Sequence, residues 1–257
     1  MKNMNYNFEN KVAFVTGAGS GIGESTARLF AQAGAGVALV DIHHEPIRRL
    51  ADELNGKGYK AFAIPCNVGN EEEVKNAVEK TVEVFGRLDF AFNNAGIQVP
   101  TAKTAEIESA DFERALRINL LGVFYCMKYQ IRQMLKQGEG GSIVNVASQD
   151  AIVGTATLGA YSAAKTGIIG LAKCTALEYA EQGIRVNMIA PGMIMTPMVE
   201  QAIKDYPEHM QGLIDIIPQK RVGTPENIAS CALYLCSDDA SFMTGQTITI
   251  DGGFTVK

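Results

Sequence analysis

The chain of 257 residues contains no stretch of 18 uninterrupted apolar residues, which excludes a conventional membrane-spanning helix. It also lacks a cluster of Lys and Arg, and its formal net charge of -5 argues against a nucleic acid as partner. The first ten residues are polar and lack the apolar core of a signal peptide. We therefore expect a cytoplasmic protein that binds neither a membrane nor a nucleic acid.

Groups of metal ligands are also missing. The five cysteines include no C-x-x-C pair and lie among apolar neighbours, which favours reduced, buried thiols. The adjacent His43 and His44 point away from each other in extended chain, and no third ligand accompanies them. No metal site is predicted. The cysteines are Cys66, Cys126, Cys174, Cys231 and Cys236.

Short apolar runs alternate with patterns of helical period along most of the chain. Such strands lie parallel, and the helices between them cover both faces of the sheet. No repeat, low-complexity tract or linker interrupts the pattern, so we predict one α/β domain over residues 1–257, a doubly wound parallel sheet in three layers, α/β/α. The predicted strands cover residues 11–16, 37–41, 60–65, 88–92, 142–147, 185–190 and 247–250. The predicted helices cover residues 24–33, 46–55, 71–85, 111–137, 159–181 and 225–236.

Residues 193–221 depart from this alternation. Their periodicity is poor and their methionines are dense: Met193, Met195, Met198 and Met210. We predict a mobile segment or lid in which methionines form an adaptable apolar wall around the substrate. Ordinary core filling is the alternative explanation for the methionines.

A glycine-rich loop, Thr16-Gly17-x-x-x-Gly21-x-Gly23, follows the first predicted strand and precedes the first predicted helix. Glycines let the backbone turn tightly and approach a pyrophosphate at the positive end of a helix. The spacing departs from G-x-G-x-x-G because position 22 is Ile, so a loop without a ligand is the alternative. Asp41, 18 residues beyond Gly23, ends the second strand, where a carboxylate can accept both hydroxyls of an adenosine ribose.

Asp41 also indicates which dinucleotide is bound. Its charge would repel the additional phosphate of NADP, which carries about two negative charges. Ser20 stands where an arginine or lysine would help to hold that phosphate. NAD is therefore favoured over NADP. The alternative interpretation is that Asp41 only caps a helix or forms a turn.

Tyr161 and Lys165 are four residues apart in a segment of helical pattern, so their side chains share one face. A free tyrosine has a pKa of about 10, and a neighbouring cation that stabilises the phenolate would let Tyr161 exchange protons near neutrality. An isolated Tyr-x-x-x-Lys pair is more commonly two exposed side chains that lie one helical turn apart. The rest of the sequence has to distinguish these interpretations.

Further motifs distinguish the two interpretations of Tyr161 and Lys165. With these motifs in this order, residues 11–253 resemble the short-chain dehydrogenase/reductase family. The form resembled is a single Rossmann-like domain of about 250 residues. Each motif alone is weak, whereas the ordered set is very specific. The motifs are Thr16-Gly17-x-x-x-Gly21-x-Gly23, Asn93-Asn94-Ala95-Gly96, Asn119, Ser148, Tyr161-x-x-x-Lys165, Pro191-Gly192 and Asp251-Gly252-Gly253.

The resemblance implies four catalytic residues. Tyr161 would be the acid/base, and Ser148 would hydrogen-bond the substrate oxygen. Lys165 would bind the nicotinamide ribose and lower the pKa of Tyr161, while Asn119 would hold a water that links Lys165 to solvent. Plainer readings remain: Ser148 could cap a strand end, and Asn119 could bond to backbone.

The resemblance also implies the binding residues. Asn67 and Val68 would flank the adenine, although many members have Asp at the position of Asn67. The expected cofactor residues are Gly17, Ser20, Gly21, Ile22, Gly23, Asp41, Asn67, Val68, Asn94, Gly96, Tyr161, Lys165, Pro191, Gly192, Ile194 and Thr196. The expected substrate residues are Ser148, Tyr161, Gln98 and Gln149, within a wider pocket of Val99, Asp150, Ile152, Thr155 and residues 193–198.

We therefore expect an NAD-dependent oxidoreductase that interconverts a secondary alcohol, cyclic alcohols included, and its ketone. A 3-oxoacyl-thioester reductase using NADPH is one alternative, and Asp41 counts against it. A non-catalytic protein that senses a dinucleotide is another, and the intact Ser148, Tyr161 and Lys165 count against that. Because relatives commonly form tetramers, the resemblance also implies a homotetramer built through helices 111–137 and 159–181 and the C-terminal strand.

Overall fold

The computed structural model describes residues 6–257, so the first five residues of the predicted domain lie outside the described part. Its centre is a sheet of seven parallel strands paired in the order β3-β2-β1-β4-β5-β6-β7. The strands are β1 (Val12–Thr16), β2 (Gly36–Asp41), β3 (Lys60–Pro65), β4 (Phe90–Asn93), β5 (Gly141–Val146), β6 (Ile184–Pro191) and β7 (Thr247–Ile250).

Helices cover both faces of this sheet. In the described residues they are α1 (Gly21–Gln32), α2 (His44–Gly56), α3 (Glu71–Phe85), α4 (Ser109–Leu116), α5 (Gly122–Gln137), α6 (Gly159–Tyr179), α7 (Pro197–Asp205), α8 (Pro207–Asp215) and α9 (Pro225–Cys236). Helices α1, α2 and α9 pack on one face, and α3, α5 and α6 pack on the other. No helix within residues 6–257 is both long enough and apolar enough to cross a membrane.

The central strand β1 shows why this sequence folds into three layers. All five of its residues are buried. Ala13 and Val15 face the core beneath α1 and α9, while Phe14 between them faces the core beneath α3 and α5. Since side chains alternate across a strand, a continuous apolar run can be buried only if both faces of the sheet are covered.

The strand order reverses between β1 and β4, and this reversal places the site. The chain builds outward from β1 to β3 and then returns to β4 on the other side of β1. At such a reversal the loops at the carboxyl ends of the two strands diverge and leave a crevice. The glycine loop leaves β1 there, and Asn94 leaves β4 beside it.

The predicted fold class is confirmed, and all seven predicted strands are present. The helix predicted over residues 111–137 is wrong in one respect: a π-helical turn, Arg117–Leu121, separates α4 from α5. Residues 193–221 also hold more regular structure than their periodicity indicates. They contain α7 and α8, each of nine residues and each starting at a proline, Pro197 and Pro207. The mobility of this segment stays a prediction.

Candidate active site

The structure brings Tyr161 and Lys165 together on one face of α6. The Lys165 Nζ lies 5.7 Å from the centre of the Tyr161 ring. Lys165 is only 3% exposed, and its Nζ donates a hydrogen bond of 2.8 Å to the Val146 carbonyl at the carboxyl end of β5. This bond attaches α6 to β5 of the sheet.

Ser148 reaches the same place from the end of β5. It is buried, and it precedes a short 3₁₀ turn, Gln149–Ala151, which it caps by accepting the Asp150 N–H at 3.1 Å. Its Oγ also donates to the Asp150 carboxylate at 3.0 Å. The Ser148 hydroxyl is close enough to Tyr161 to affect the pKa of that phenol.

Burial dominates the proton affinities of both groups in the pair. It raises the pKa of Tyr161 to about 12, a change that the Ser148 hydroxyl opposes and the Asp150 carboxylate reinforces. It lowers the pKa of Lys165 to about 8. Burial therefore dominates the pKa of Tyr161, and the expectation that Lys165 lowers that pKa stays a prediction.

Asn119 serves the backbone of a neighbouring segment. It is fully buried in the π turn, where its Oδ1 accepts the Ile97 N–H at 2.8 Å and its Nδ2 donates to the Ile97 carbonyl at 3.0 Å. A Cβ on Gly96 would lie 2.7 Å from Asn119 Oδ1 and 3.5 Å from Lys165 Nζ. The side chain of Asn119 is thus bonded to backbone, as the alternative interpretation has it, and it holds Ile97 next to Gly96. The predicted water link stays a prediction.

The glycine loop has the close packing that a phosphate cradle requires. Gly17 and Gly21 have φ angles of +65° and +54°, which side chains other than glycine rarely adopt. A Cβ on Gly23 would lie 1.9 Å from the Gly17 carbonyl oxygen, so only glycine lets α1 start this close to the loop. Ser20 is the N-cap residue of α1, and Gly21 and Ile22 begin that helix. The backbone is thereby open to a ligand at the start of α1.

Asp41 is already oriented toward this loop. Its Oδ2 accepts the Gly19 N–H at 3.0 Å, and its Oδ1 accepts the His43 N–H at 2.9 Å. Each carboxylate oxygen can accept a further hydrogen bond, so the group fits the two hydroxyls of a ribose. Sequence reasoning missed Gly19, whose lack of a side chain lets Asp41 approach this closely.

A second missed residue is Thr16, the last residue of β1. It is 1% exposed, and its Oγ1 accepts the N–H groups of both Asn94 and Ala95, at 2.9 and 3.0 Å. Asn94 in turn donates its Nδ2 to the Thr16 carbonyl at 3.2 Å. Thr16 therefore joins the loop after β1 to the loop after β4. A hydroxyl residue at the end of an otherwise apolar strand was the available signal.

The two residues that the resemblance places at adenine, Asn67 and Val68, follow β3. Asn67 uses its Oδ1 to accept the Gly69 N–H at 3.0 Å, which leaves one lone pair for a ligand. Val68 is buried, and its side chain lies against Gly122, where a Cβ would approach to 2.9 Å. The contacts of both residues with adenine stay a prediction.

The far wall of the crevice follows β6. Gly192 packs against Asp251 and the Gln149 amide, with Pro191 before it in β6. Thr196 caps α7 and lies against Gly21 of the glycine loop, so the segment that contains α7 meets the cofactor crevice directly. Ile194 is buried with its side chain against Gly223, so only its backbone is available to a ligand in the crevice.

The remaining residues expected to line the substrate pocket differ in how exposed they are and in what they contact. Gln98 and Ile152 are exposed. Val99 belongs to a small core cluster and lines a narrow, mostly apolar niche beside Tyr161. Asp150 and Thr155 bond to each other at 2.5 Å. A larger cavity of about 880 Å³ lies between α1, α9 and the end of β7, and none of Ser148, Tyr161 and Lys165 lines it.

The crevice and the Ser148, Tyr161 and Lys165 side chains occur together at the carboxyl edge of one parallel sheet. This combination is typical of oxidoreductases that use a nicotinamide dinucleotide.

Comparisons with known proteins identify the family. A family model described as enoyl-(acyl carrier protein) reductase matches residues 17–255. The chain is 44% identical over 256 residues to a cyclohexanol dehydrogenase of Acinetobacter sp. (strain SE19), covering 100% of this chain and 99% of that protein. It is 41% identical over 245 residues to a 2,5-dichloro-2,5-cyclohexadiene-1,4-diol dehydrogenase of Sphingobium indicum, covering 95% and 97%. The crystal structure of levodione reductase is similar with a TM-score of 0.91 at 36% identity, covering 97% of this chain and 99% of that one. The chain belongs to the short-chain dehydrogenase/reductase family.

We predict that Thr16→Val weakens the site without adding bulk. The change leaves the Asn94 and Ala95 N–H groups without their acceptor, which should cost about 1–3 kcal/mol of the free energy of unfolding. It should also weaken dinucleotide binding. Urea unfolding and titration with NADH measure the two effects.

Thr81→Val is the matched control, since Thr81 is equally buried but donates only to the Ala77 carbonyl within α3. If the two variants had equal stability and equal NADH affinity, Thr16 would have no special role in the crevice.

Proposed function

We propose that the chain is an NAD-dependent dehydrogenase that interconverts a secondary alcohol, cyclic alcohols included, and its ketone. The observation that carries the proposal is the meeting of Ser148, Tyr161 and Lys165 beside the glycine-loop crevice. Both relatives compared above are named as dehydrogenases of ring alcohols, which supports the cyclic substrate class.

Each of the three side chains has a distinct task in this mechanism. In oxidation, Tyr161 takes the hydroxyl proton of the substrate at its Oη atom while Ser148 holds the same oxygen. The Lys165 ammonium, held by the Val146 carbonyl, favours the phenolate form of Tyr161 that accepts the proton. NAD, when bound, supplies the acceptor for the hydride of the carbinol carbon. Reduction reverses these transfers.

The cofactor residues fit NAD on two observations. Gly17 and Gly21 have positive φ angles, and Gly23 packs against the Gly17 carbonyl without a side chain. Together they leave room for a pyrophosphate. The Asp41 carboxylate is held at the end of β2 by two N–H groups, where it can accept ribose hydroxyls and repel an added phosphate. These contacts support NAD over NADP.

A second candidate, a 3-oxoacyl-thioester reductase using NADPH, is kept for testing because the matching family model is described by an acyl carrier protein substrate. Asp41 disfavours it through the repulsion described above. The non-catalytic sensor is disfavoured by the complete Ser148, Tyr161 and Lys165 set.

We predict that the protein reduces NAD with cyclic members of a panel of secondary alcohols. The absorbance of the reduced cofactor measures this reaction. Tyr161→Phe should reduce turnover by about 10²- to 10⁴-fold, because general acid/base catalysis is lost, and should leave NADH binding intact. Tyr59→Phe is the control, since Tyr59 precedes β3 at the opposite edge of the sheet.

Three outcomes would contradict this assignment. Near-normal turnover by Tyr161→Phe would remove Tyr161 from the chemistry. Turnover with NADPH and acyl thioesters would favour the reductase, and NADH binding without turnover across the panel would favour the sensor.

We predict that Asp41→Ser lowers the affinity for NAD by about tenfold or more, since charged hydrogen bonds contribute about 1.5–3 kcal/mol. The same change should narrow the preference for NAD over NADP, because the repelling charge is gone. Binding titrations with NADH and NADPH measure both effects. Asp52→Ser removes an exposed carboxylate from α2 as the control. An unchanged ratio of the two affinities would remove Asp41 from cofactor selection.

We also propose a cytoplasmic homotetramer. None of the five cysteines, all within the described residues, is in a disulfide, which fits a reducing compartment. Apolar side chains exposed along α5 and α6, such as Phe124, Leu135 and Leu177, offer surface for subunit contacts. Light scattering at micromolar concentration should give the mass of four chains, and a mass of 27.6 kDa would contradict assembly.

A further inference from the structure

Three buried amide side chains meet where β4 and β5 end, at the edge of the sheet that carries the candidate site. Asn93 is the last residue of β4, Asn145 is paired with it on β5, and Gln130 lies on α5. All three are at most 1% exposed. A buried amide is costly unless its polar atoms are hydrogen-bonded, so the partners of these side chains show what they connect.

Their hydrogen bonds join the two strands to the helix. The Gln130 Nε2 donates to the Asn93 Oδ1 at 2.8 Å, and the Asn93 Nδ2 donates back to the Gln130 Oε1 at 3.0 Å. The Asn93 Nδ2 also donates to the Asn145 Oδ1 at 2.9 Å, and the Asn145 Nδ2 donates to the Met127 Sδ at 3.1 Å. Asn93, Gln130 and Asn145 thus form an amide network in which every oxygen and every nitrogen has a partner.

Each element that the amide network joins also carries a part of the candidate site. Strand β4 leads into the loop of Gly96, where an added Cβ would lie 3.5 Å from the Lys165 Nζ. Strand β5 continues from Asn145 to Val146, whose carbonyl accepts the Lys165 ammonium. Helix α5 follows directly on the π turn that contains Asn119.

The backbone pairing of β4 with β5 ends at this network. Its last pair is Asn93 with Asn145, and within the described strands Val146 pairs with Ile189 of β6 and with no residue of β4. The position of the Val146 carbonyl relative to the loop after β4 therefore depends on side chains as well as on the sheet. Amide hydrogen bonds are directional, so a satisfied network permits fewer arrangements than apolar side chains of the same size.

We propose that Gln130 is a positioning residue whose amide network sets where the Val146 carbonyl holds the Lys165 ammonium. Its side chain bonds to Asn93 and acts on Lys165 through the ends of β4 and β5. The inference rests on the proposed function, since it assumes that Lys165 favours the phenolate form of Tyr161.

Gln130→Met tests this role. Methionine has the length and nearly the volume of glutamine, but it cannot donate to Asn93 and accepts only weakly. The Lys165 ammonium is then held less firmly near Tyr161, and a misplacement of about 1 Å can lower a rate by about 10²-fold. We expect kcat for alcohol oxidation to fall by about tenfold or more.

The same variant should move the pH profile of oxidation. The charged groups near Tyr161 are Lys165 on its own helix and Asp150 on the turn after β5. Oxidation requires the phenolate, so kcat/KM rises with pH as Tyr161 loses its proton. A Lys165 ammonium held farther from the phenol stabilises the phenolate less, so the rising limb should move to higher pH.

Gln137→Met is the matched control, because Gln137 makes the same kind of amide bonds from the same helix to the opposite end of β4. Its Oε1 accepts the Leu88 N–H at 2.8 Å, and its Nε2 donates to the Leu88 carbonyl at 2.9 Å. Leu88 lies two residues before β4, whereas the candidate site lies beyond the other end of that strand. The control should lower the Tm and change neither kcat nor the rising limb.

A combined variant separates positioning from stability. Asn93→Leu, Gln130→Met and Asn145→Leu together replace the amide network by apolar side chains of similar shape. No amide of the network then lacks a partner, so the Tm should recover relative to Gln130→Met alone. The directional bonds are still absent, so kcat should stay low and the rising limb should stay at higher pH.

Measuring Tm, kcat and the pH profile of alcohol oxidation for wild type and the three variants tests the inference. A low kcat and a displaced limb in Gln130→Met and in the combined variant, with both unchanged in Gln137→Met, would support it. Normal kinetics in folded Gln130→Met, equal changes in the control, recovery of kcat together with Tm in the combined variant, or failure of both network variants to fold would overturn it. Wild-type protein that turns over no alcohol would instead overturn the proposed function, and this inference with it.

Discussion

The hydrogen bond from the buried Lys165 ammonium to the Val146 carbonyl is the constraint on which the arrangement of the site depends. An ammonium taken out of water is costly unless a hydrogen bond compensates, and the end of β5 supplies the acceptor. Because α6 is thereby attached to β5, Tyr161 comes to lie against Ser148, which leaves the same strand two residues later. The position of the groups proposed to transfer the proton thus follows from the position of the carboxyl end of β5.

The cofactor side of the site follows from a second junction at the same edge. Thr16 joins the loops after β1 and β4 by accepting two N–H groups, and Asn119 bonds to both the N–H and the carbonyl of Ile97 in the second loop. Gly96, in the same loop, lies close to both Asn119 and Lys165, where a Cβ would approach Asn119 Oδ1 to 2.7 Å. The crevice proposed for the dinucleotide and the Tyr161 and Lys165 side chains are therefore parts of one packed unit. A small displacement of the crevice loops can thus displace these two side chains.

Sequence reasoning predicted the sheet, the family and the meeting of Tyr161 with Lys165, because these depend on periodicity and on motifs of fixed spacing. It did not reveal α7 and α8, since helices of nine residues give too few turns for a periodic signal. It also could not reveal how strongly burial raises the pKa of Tyr161, because the extent of burial is a property of the folded chain. The contacts of Thr16 and Asp150 were missed because each depends on loop geometry.

The most direct test of the account uses the best alcohol from the panel with deuterium on its carbinol carbon. The account predicts that the reduced cofactor gains one deuterium per turnover and that wild-type protein does this far faster than Tyr161→Phe. Reduced cofactor that carries no deuterium would contradict hydride transfer from the carbinol carbon. Equal rates of deuterium transfer by the two proteins would contradict proton transfer through Tyr161.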